Sequence, residues 1–147
     1  MNIKSVVTRR PGEGTRLTVL GDGARCLVAA SESGGEWSLW EWTVPRDSGP
    51  PPHTHPWDET YFLLEGQVDI SIDGKMRRAG AGELLYAPGG MAHTFKGASD
   101  APARMLVWLT GSEADAMFHE LASEIPELPP DLDKIAAVFA RHRVNCL

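Results

Sequence analysis

The amino-acid sequence predicts an all-β fold, a small antiparallel barrel or sandwich followed by short helices. Short apolar or alternating segments recur about every 8–12 residues, with turn residues between them, as in such folds. The chain of 147 residues contains 15 glycines and 11 prolines, which favours a turn-rich β fold over a helical bundle. We expect a single domain over residues 1–147, with the barrel at about 17–110 and a helical extension at about 112–145.

The first third of the chain contains the first predicted strands. Residues 17–20 and 25–30 are short apolar runs on either side of Gly21-Asp22-Gly23, a strong signal for a hairpin. Residues 37–44 are rich in aromatic and β-branched side chains, which favour strands. Ahead of these segments, the apolar residues within 3–7 predict a short strand at the edge of a sheet.

The middle of the chain alternates between strands and tight turns. Residues 45–52 are rich in proline, which lacks a backbone donor, so they predict a loop rather than a central strand. Residues 68–72 alternate between apolar and polar side chains, the pattern of a half-buried strand, and Asp73-Gly74 predicts a two-residue hairpin turn. Further strands are predicted at 60–64, 76–79, 84–86, 93–95 and 104–109.

The last third of the chain predicts two short helices. Ser112 is a candidate N-cap for the first helix, which Pro129 and Pro130 would end. Asp131 is the candidate N-cap of the second helix, whose apolar stripe runs from Leu132 to Phe139. We expect both helices to pack on the outside of the barrel or to cover one of its ends.

Charge and cysteine content argue against several classes of protein. The formal net charge is −6 and there is no basic stripe, so nucleic acid is not an expected partner. The two cysteines, Cys26 and Cys146, are too few and too far apart for a disulfide framework. No apolar run approaches the roughly 18 residues of a membrane span, and no secretory leader is evident, which predicts a cytoplasmic protein without a membrane partner.

The candidate functional residues lie in two separate segments. His53, His55 and Glu59 share parity, so on an extended backbone they would point to the same side. His93 follows a turn at Pro88-Gly89-Gly90 that would bring it beside the first segment. Imidazole and carboxylate groups are ligands for divalent metal ions, so these four residues predict a metal site with open coordination positions.

These residues also allow a purely structural interpretation without a metal ion. A His-x-His pair alone is weak evidence, because surface histidine pairs are common. Glu59 and the separate His93 make the combination more specific. The remaining histidines, His119 and His142, fall within the predicted helices and are interpreted as surface or packing residues.

These two segments resemble the two conserved motifs of the cupin family. The stretch from Gly49 to Gly66 is similar to the first motif, and the stretch from Gly82 to His93 is similar to the second. Fewer residues separate Gly49 from His53 than is usual in the family, and Gly97 stands where the second motif usually ends in asparagine. The resemblance implies a double-stranded β-helix, or jelly-roll, barrel in which three histidines and one glutamate hold one divalent ion per chain (Fe, Mn, Ni, Co or Zn).

The resemblance extends to single-domain cupins of the quercetin 2,3-dioxygenase type. It implies a dioxygenase acting on a small phenolic or enolisable substrate, with Glu59 as both metal ligand and catalytic proton acceptor. Two alternatives remain open at this point: a non-redox isomerase or lyase, and a cupin that binds a small molecule without turnover. The family also implies a homodimer, with the 3–7 segment supplying a sheet edge.

The candidate substrate pocket is predicted from side-chain parity and from aromatic character. Tyr61 shares parity with Glu59, Phe95 shares parity with His93, and Trp57 lies between ligands at the expected pocket mouth. Met105 and Trp108 complete the set of candidates. Aromatic walls would suit a flat aromatic ligand, although core packing alone is the alternative role for each of these residues.

Overall fold

A computed structural model describes residues 3–126 and 128–147 of the chain. The strands are β1 Arg16–Val19, β2 Asp22–Val28, β3 Trp37–Val44, β4 His53–Thr54, β5 Glu59–Glu65, β6 Gln67–Ile72, β7 Lys75–Gly80, β8 Leu84–Ala87, β9 His93–Gly97, β10 Ala103–Thr110 and β11 Asn145–Cys146. The helices are α1 Glu113–Glu124 and α2 Leu132–Arg141.

The strands form two antiparallel sheets that face each other across one core. A six-stranded sheet has the order β1-β2-β3-β10-β5-β8, and a five-stranded sheet has the order β11-β4-β9-β6-β7. All the strand pairs are antiparallel, and the consecutive hairpins β1–β2 and β6–β7 lie at sheet edges. The predicted all-β jelly-roll fold with short C-terminal helices is confirmed.

The core is built from the inward faces of the central strands. In β3, alternate residues from Ser38 to Val44 are buried, and in β10 alternate residues from Ala103 to Leu109 are buried. Trp40 and Met105, for example, have no exposed surface. Because successive side chains of a strand point to opposite faces, this alternation leaves one face of the large sheet toward solvent.

The C-terminal helices cover one side of the barrel. The apolar stripe of the second helix, α2, predicts this packing. The Asp131 carboxylate caps α2 by accepting from the backbone N–H groups of Asp133 and Lys134. Ser112 precedes α1 but makes no side-chain cap. The buried Asp115 of α1 instead accepts a 2.8 Å hydrogen bond from the backbone N–H of Ala30 and ties the helix to the barrel.

The predicted edge strand within residues 3–7 is corrected by the structure. This segment makes one isolated bridge, between Lys4 and Ser33, and Val6 is 99% exposed. Its few apolar residues have no facing strand against which they could be buried. The homodimer that this edge was expected to support stays a prediction.

In the described part of the chain, neither helix has the length and apolar character needed to cross a bilayer.

Shortening one core side chain is expected to destabilise the fold strongly. Leu63 of β5 is fully buried opposite Met105, so Leu63→Ala should lower the free energy of unfolding by about 2–5 kcal/mol. Leu84→Ala, at a position that is 62% exposed, is the matched control and should change it by less than about 0.5 kcal/mol. Urea unfolding followed by tryptophan fluorescence measures both, and equal effects would contradict this description of the core.

Candidate metal centre

Four side chains converge at one end of the barrel. The register pairs His53 of β4 directly with His93 of β9, and β5 begins with Glu59. One ligand atom from each of His53, His55, Glu59 and His93 lies within 4.8 Å of the others, and all four residues are buried. The structure thus brings together the four residues that the sequence selects, although they come from two segments about 34 residues apart.

Backbone carbonyl groups orient each of the three imidazole rings. The Nδ1 atoms lie 2.8 Å from Pro51 O for His53, 3.0 Å from Trp57 O for His55 and 2.9 Å from Met91 O for His93. A ring that donates its Nδ1–H to a carbonyl group presents the lone pair of Nε2 on the opposite side. The three rings are therefore oriented as metal-binding histidines usually are.

The Glu59 carboxylate supplies the oxygen donor. Its Oε2 atom lies 2.9 Å from Nε2 of His55 and 3.1 Å from Nε2 of His93. Burial opposes ionisation of this carboxyl group, but the interactions with the two imidazoles together outweigh burial and hold its pKa well below its usual range. A carboxylate and three imidazole nitrogens that face one point fit a divalent first-row metal ion.

Two glycines permit the backbone to approach this centre closely. A Cβ atom at Gly49 would lie only 1.8 Å from the carbonyl oxygen of Phe95. The segment that leads to His53 can therefore pack this closely against β9 only if residue 49 is glycine. A Cβ atom at Gly89 would lie 2.2 Å from the carbonyl oxygen of Pro56. The Gly89 N–H also donates to Asp58, which joins the two motif loops.

An apolar cavity of about 390 Å³ adjoins the centre. Three of the candidate pocket residues, Trp57, Tyr61 and Phe95, line it. Trp57 also stacks on His55, with ring centroids 4.2 Å apart and an angle of 9° between the planes. The other walls come from β3, β10, the two helices and the segments around β1 and β11. They include Val19, Leu20, Trp42, Val107, Leu109, Met117, Phe118, Leu121, Leu132, Ile135, Phe139, Val144 and Cys146.

The other two candidate pocket residues do not line this cavity. Trp108 is 47% exposed on the outer face of β10, where its ring lies 4.9 Å from that of Trp37. Met105, three positions earlier, has the opposite parity and is fully buried between Trp42 and Leu63 in the sheet, within the core. Alternation along β10 puts these two residues on opposite faces, so they cannot share one pocket.

Sequence reasoning missed two parts of the cavity wall. Asp22 was assigned to a hairpin turn, whereas it begins β2 and lines the cavity. Its only sequence signal was its place beside two glycines. The second part is the segment around β11, for which no strand was predicted: Asn145 and Cys146 pair with Thr54 and His53 of β4, and Val144 and Cys146 line the cavity.

Acidification is expected to release metal from this centre. A metal-binding imidazole must be unprotonated at Nε2. Burial tends to lower the pKa of His93, but the hydrogen bond to Glu59, the charge of Glu59 and the hydrogen bond to the Met91 carbonyl together raise that pKa above its usual value. Burial and the charge of His93 lower the pKa of His53 to about 4. His93 therefore takes up a proton before His53 as the pH falls, and metal affinity should decline from near neutrality downward.

A chelator competition titration from about pH 8 to about pH 5 measures this decline. His119→Ala, at an exposed histidine outside the centre, should titrate like the unmodified chain. Affinity that is independent of pH over this interval would contradict the assignment of His93 as a ligand.

Comparison with known proteins agrees with this geometry. Residues 40–109 match the family described as "Cupin domain". A 72-residue stretch, 47% of this chain, is 39% identical to the "Probable oxidoreductase patJ" of Penicillium expansum but spans 22% of that protein. Another stretch, 54% of this chain, is 27% identical to the "Polyketide synthase CurC" of Streptomyces cyaneus and spans 53% of it. The chain thus covers from about a fifth to about half the length of these curated relatives.

Solved structures share the fold at low sequence identity. The polyketide cyclase RemF from Streptomyces resistomycificus superposes with a TM-score of 0.62 at 21% identity, over 72% of this chain and 80% of that chain. An RmlC-like cupin from Shewanella frigidimarina gives a TM-score of 0.65 at 13% identity, over 79% of this chain and 99% of that chain. The two motifs, the sheet topology and the match over residues 40–109 together identify a cupin domain in this chain.

Proposed function

We propose that this protein is a metal-dependent enzyme, of dioxygenase type, that acts on a small phenolic or enolisable substrate. The proposal rests on one observation: a buried set of three histidines and one glutamate adjoins a largely apolar cavity, which His53, His55 and Glu59 help to line. A bound divalent metal ion would supply Lewis-acid and redox chemistry at that point. The similarity to a protein named as an oxidoreductase supports the redox form of the proposal.

Residues around the centre would accept a proton, donate a hydrogen bond and exclude water. Glu59, held ionised by its histidine neighbours, accepts the proton of a substrate hydroxyl group and leaves an electron-rich enolate that dioxygen can attack. Burial and the adjacent Glu59 raise the pKa of Tyr61 well above its usual value, so this phenol stays protonated and serves as a hydrogen-bond donor. Trp57 and Phe95 exclude water and offer flat surfaces to an aromatic ring.

A second candidate function is favoured by the similarity to proteins of polyketide synthesis. RemF is a polyketide cyclase and CurC carries a polyketide synthase name. In a non-redox cyclase, isomerase or lyase, Glu59 would take a proton from a carbon next to a carbonyl group, and no oxygen would be consumed. The same apolar cavity would hold the substrate in either case.

An oxygen-uptake assay separates these candidates. Protein purified without a histidine tag is loaded separately with Fe, Mn, Co, Ni or Zn and is given 3-hydroxyflavones and catechols. The dioxygenase proposal expects oxygen consumption in proportion to substrate loss with at least one metal, and none with the metal-free chain. Turnover of an enolisable polyketone without oxygen would favour the second candidate. Tight binding without turnover of any probe would overturn the enzymatic proposal.

A further inference from the structure

Asp22 is a buried carboxyl group that the proposed chemistry does not use. It is 4% exposed, begins β2 and lines the same cavity as the metal centre. Among the described residues that line the cavity, Asp22 and Glu59 are the two acidic ones. Burial of a carboxylate without partners is unfavourable in free energy, so the neighbours of Asp22 must compensate for that cost.

Two neighbouring side chains hold the Asp22 carboxylate in place. Its Oδ2 atom accepts a 3.0 Å hydrogen bond from the indole N–H of Trp42, and its Oδ1 atom accepts from the hydroxyl group of Ser48. A carboxylate offers about four acceptor positions, so these two donors leave acceptor capacity available to a ligand. Despite the two donors, burial raises the pKa of Asp22.

The distance from Asp22 to the metal centre follows from the strand register. The Gly97 N–H donates to Ser48 O, which sets Ser48 beside the last residue of β9. His53 pairs with His93, the first residue of β9. Four residues of strand span about 13 Å, so the two polar ends of the cavity are separated by roughly the length of a two- or three-ring molecule.

The walls near Asp22 decide which kind of group it would accept. Val19 pairs with Asp22 in the β1–β2 hairpin, and the ring of Phe118 packs on that of Trp42, so the cavity walls beside Asp22 are apolar. Bringing a charged ammonium group here would require the desolvation of two ions, whereas a hydroxyl group loses much less hydration. A neutral hydrogen-bond donor therefore suits this position best.

We propose that Asp22 binds a hydroxyl group at the end of the substrate that is remote from the metal centre. This inference rests on the proposed function and narrows its substrate class. The substrate is an elongated, largely apolar molecule with an enolisable or phenolic oxygen at one end and a hydroxyl group about 13 Å away. Asp22 is thus a specificity-determining residue and takes no part in the reaction itself.

The test compares two ligands that differ in a single donor. The probes are trans-3,4,4′-trihydroxystilbene, whose catechol end and 4′-hydroxyl group are separated by close to the required length, and trans-3,4-dihydroxy-4′-fluorostilbene. Each probe is titrated without oxygen into the metal-loaded chain and followed by tryptophan quenching. The unmodified protein should bind the hydroxy probe about tenfold more tightly. In Asp22→Asn the preference should fall to about twofold or less, while the affinity for the fluoro probe stays unchanged. The amide can still accept from Trp42 and donate to Ser48.

Asp69→Asn is the matched control, since Asp69 lies on the surface in an ion pair with Arg78; it should keep the full preference. A merely structural role for Asp22 would weaken both probes equally and leave their ratio intact. An unchanged ratio of the two affinities in Asp22→Asn overturns the inference. Equal affinities of the unmodified protein for the two probes also overturn it, and they can be measured even if Asp22→Asn folds poorly. If both probes bind with equal affinity and only in the presence of metal, the inference about Asp22 is wrong but the proposed function stands. If neither probe binds, both the inference and the proposed function are wrong.

Discussion

His93→Ala is expected to remove the metal ion that we propose the unmodified chain binds, about one per molecule. Structural zinc sites with four protein ligands bind with roughly 10–16 kcal/mol, so by analogy the loss of one of four ligands should weaken binding by about 100-fold or more. The change also leaves Glu59 with one imidazole neighbour in place of two. Elemental analysis after dialysis against a weak chelator measures the retained metal.

The same variant should lose the stabilisation that metal confers. A ligand present at about 100 times its dissociation constant stabilises the folded state by about 2.7 kcal/mol, and thermal unfolding with and without metal reports that difference. His119→Ala, altered at an exposed histidine of α1, should keep both the metal and the stabilisation. If His93→Ala kept its full metal content, residue 93 would have no part in the centre.

Glu59→Gln is expected to abolish turnover while part of the metal remains bound. Glutamine keeps the shape and one oxygen donor but cannot accept a proton, and general-base catalysis contributes about 10²–10⁴-fold to rates. The fall should therefore appear in kcat for any substrate that the oxygen-uptake assay identifies. Kinetics have to be compared per bound metal ion, since the neutral amide is also a weaker ligand.

The matched control is Glu65→Gln at the other end of the same strand. Glu65 is exposed and pairs with Arg104 on the surface, so its substitution should leave kcat within about twofold. Undiminished kcat per metal ion in Glu59→Gln would refute the assignment of Glu59 as proton acceptor, although its role as a ligand could stand.

The candidate ligand set was predictable from the spacing of two motifs, although the parity argument behind it does not hold. His53 lies in β4 of the five-stranded sheet, whereas Glu59 begins β5 of the six-stranded sheet, so the two residues approach from different sheets. The cavity was predictable only in part. Trp57, Tyr61 and Phe95 flank the ligands along the chain, whereas Trp108 was chosen for its aromatic character and lies on the outer face of β10.

The parts that sequence reasoning missed depend on contacts between distant segments. The buried position of Asp22 depends on Trp42 and Ser48, which lie 20 and 26 residues away. The strand β11 has two residues, too few for a recognisable alternation, and exists because it pairs with β4. No local pattern can report a partner that is about 90 residues away in the chain.

That pairing has a consequence for the order in which the sheet forms. Cys146 lies opposite His53, so the edge next to this strand is completed by a segment about 90 residues away in the chain. Contacts over so long a separation form slowly compared with hairpins. The edge beside His53 is therefore expected to close late in folding, after the hairpins β1–β2 and β6–β7 have formed.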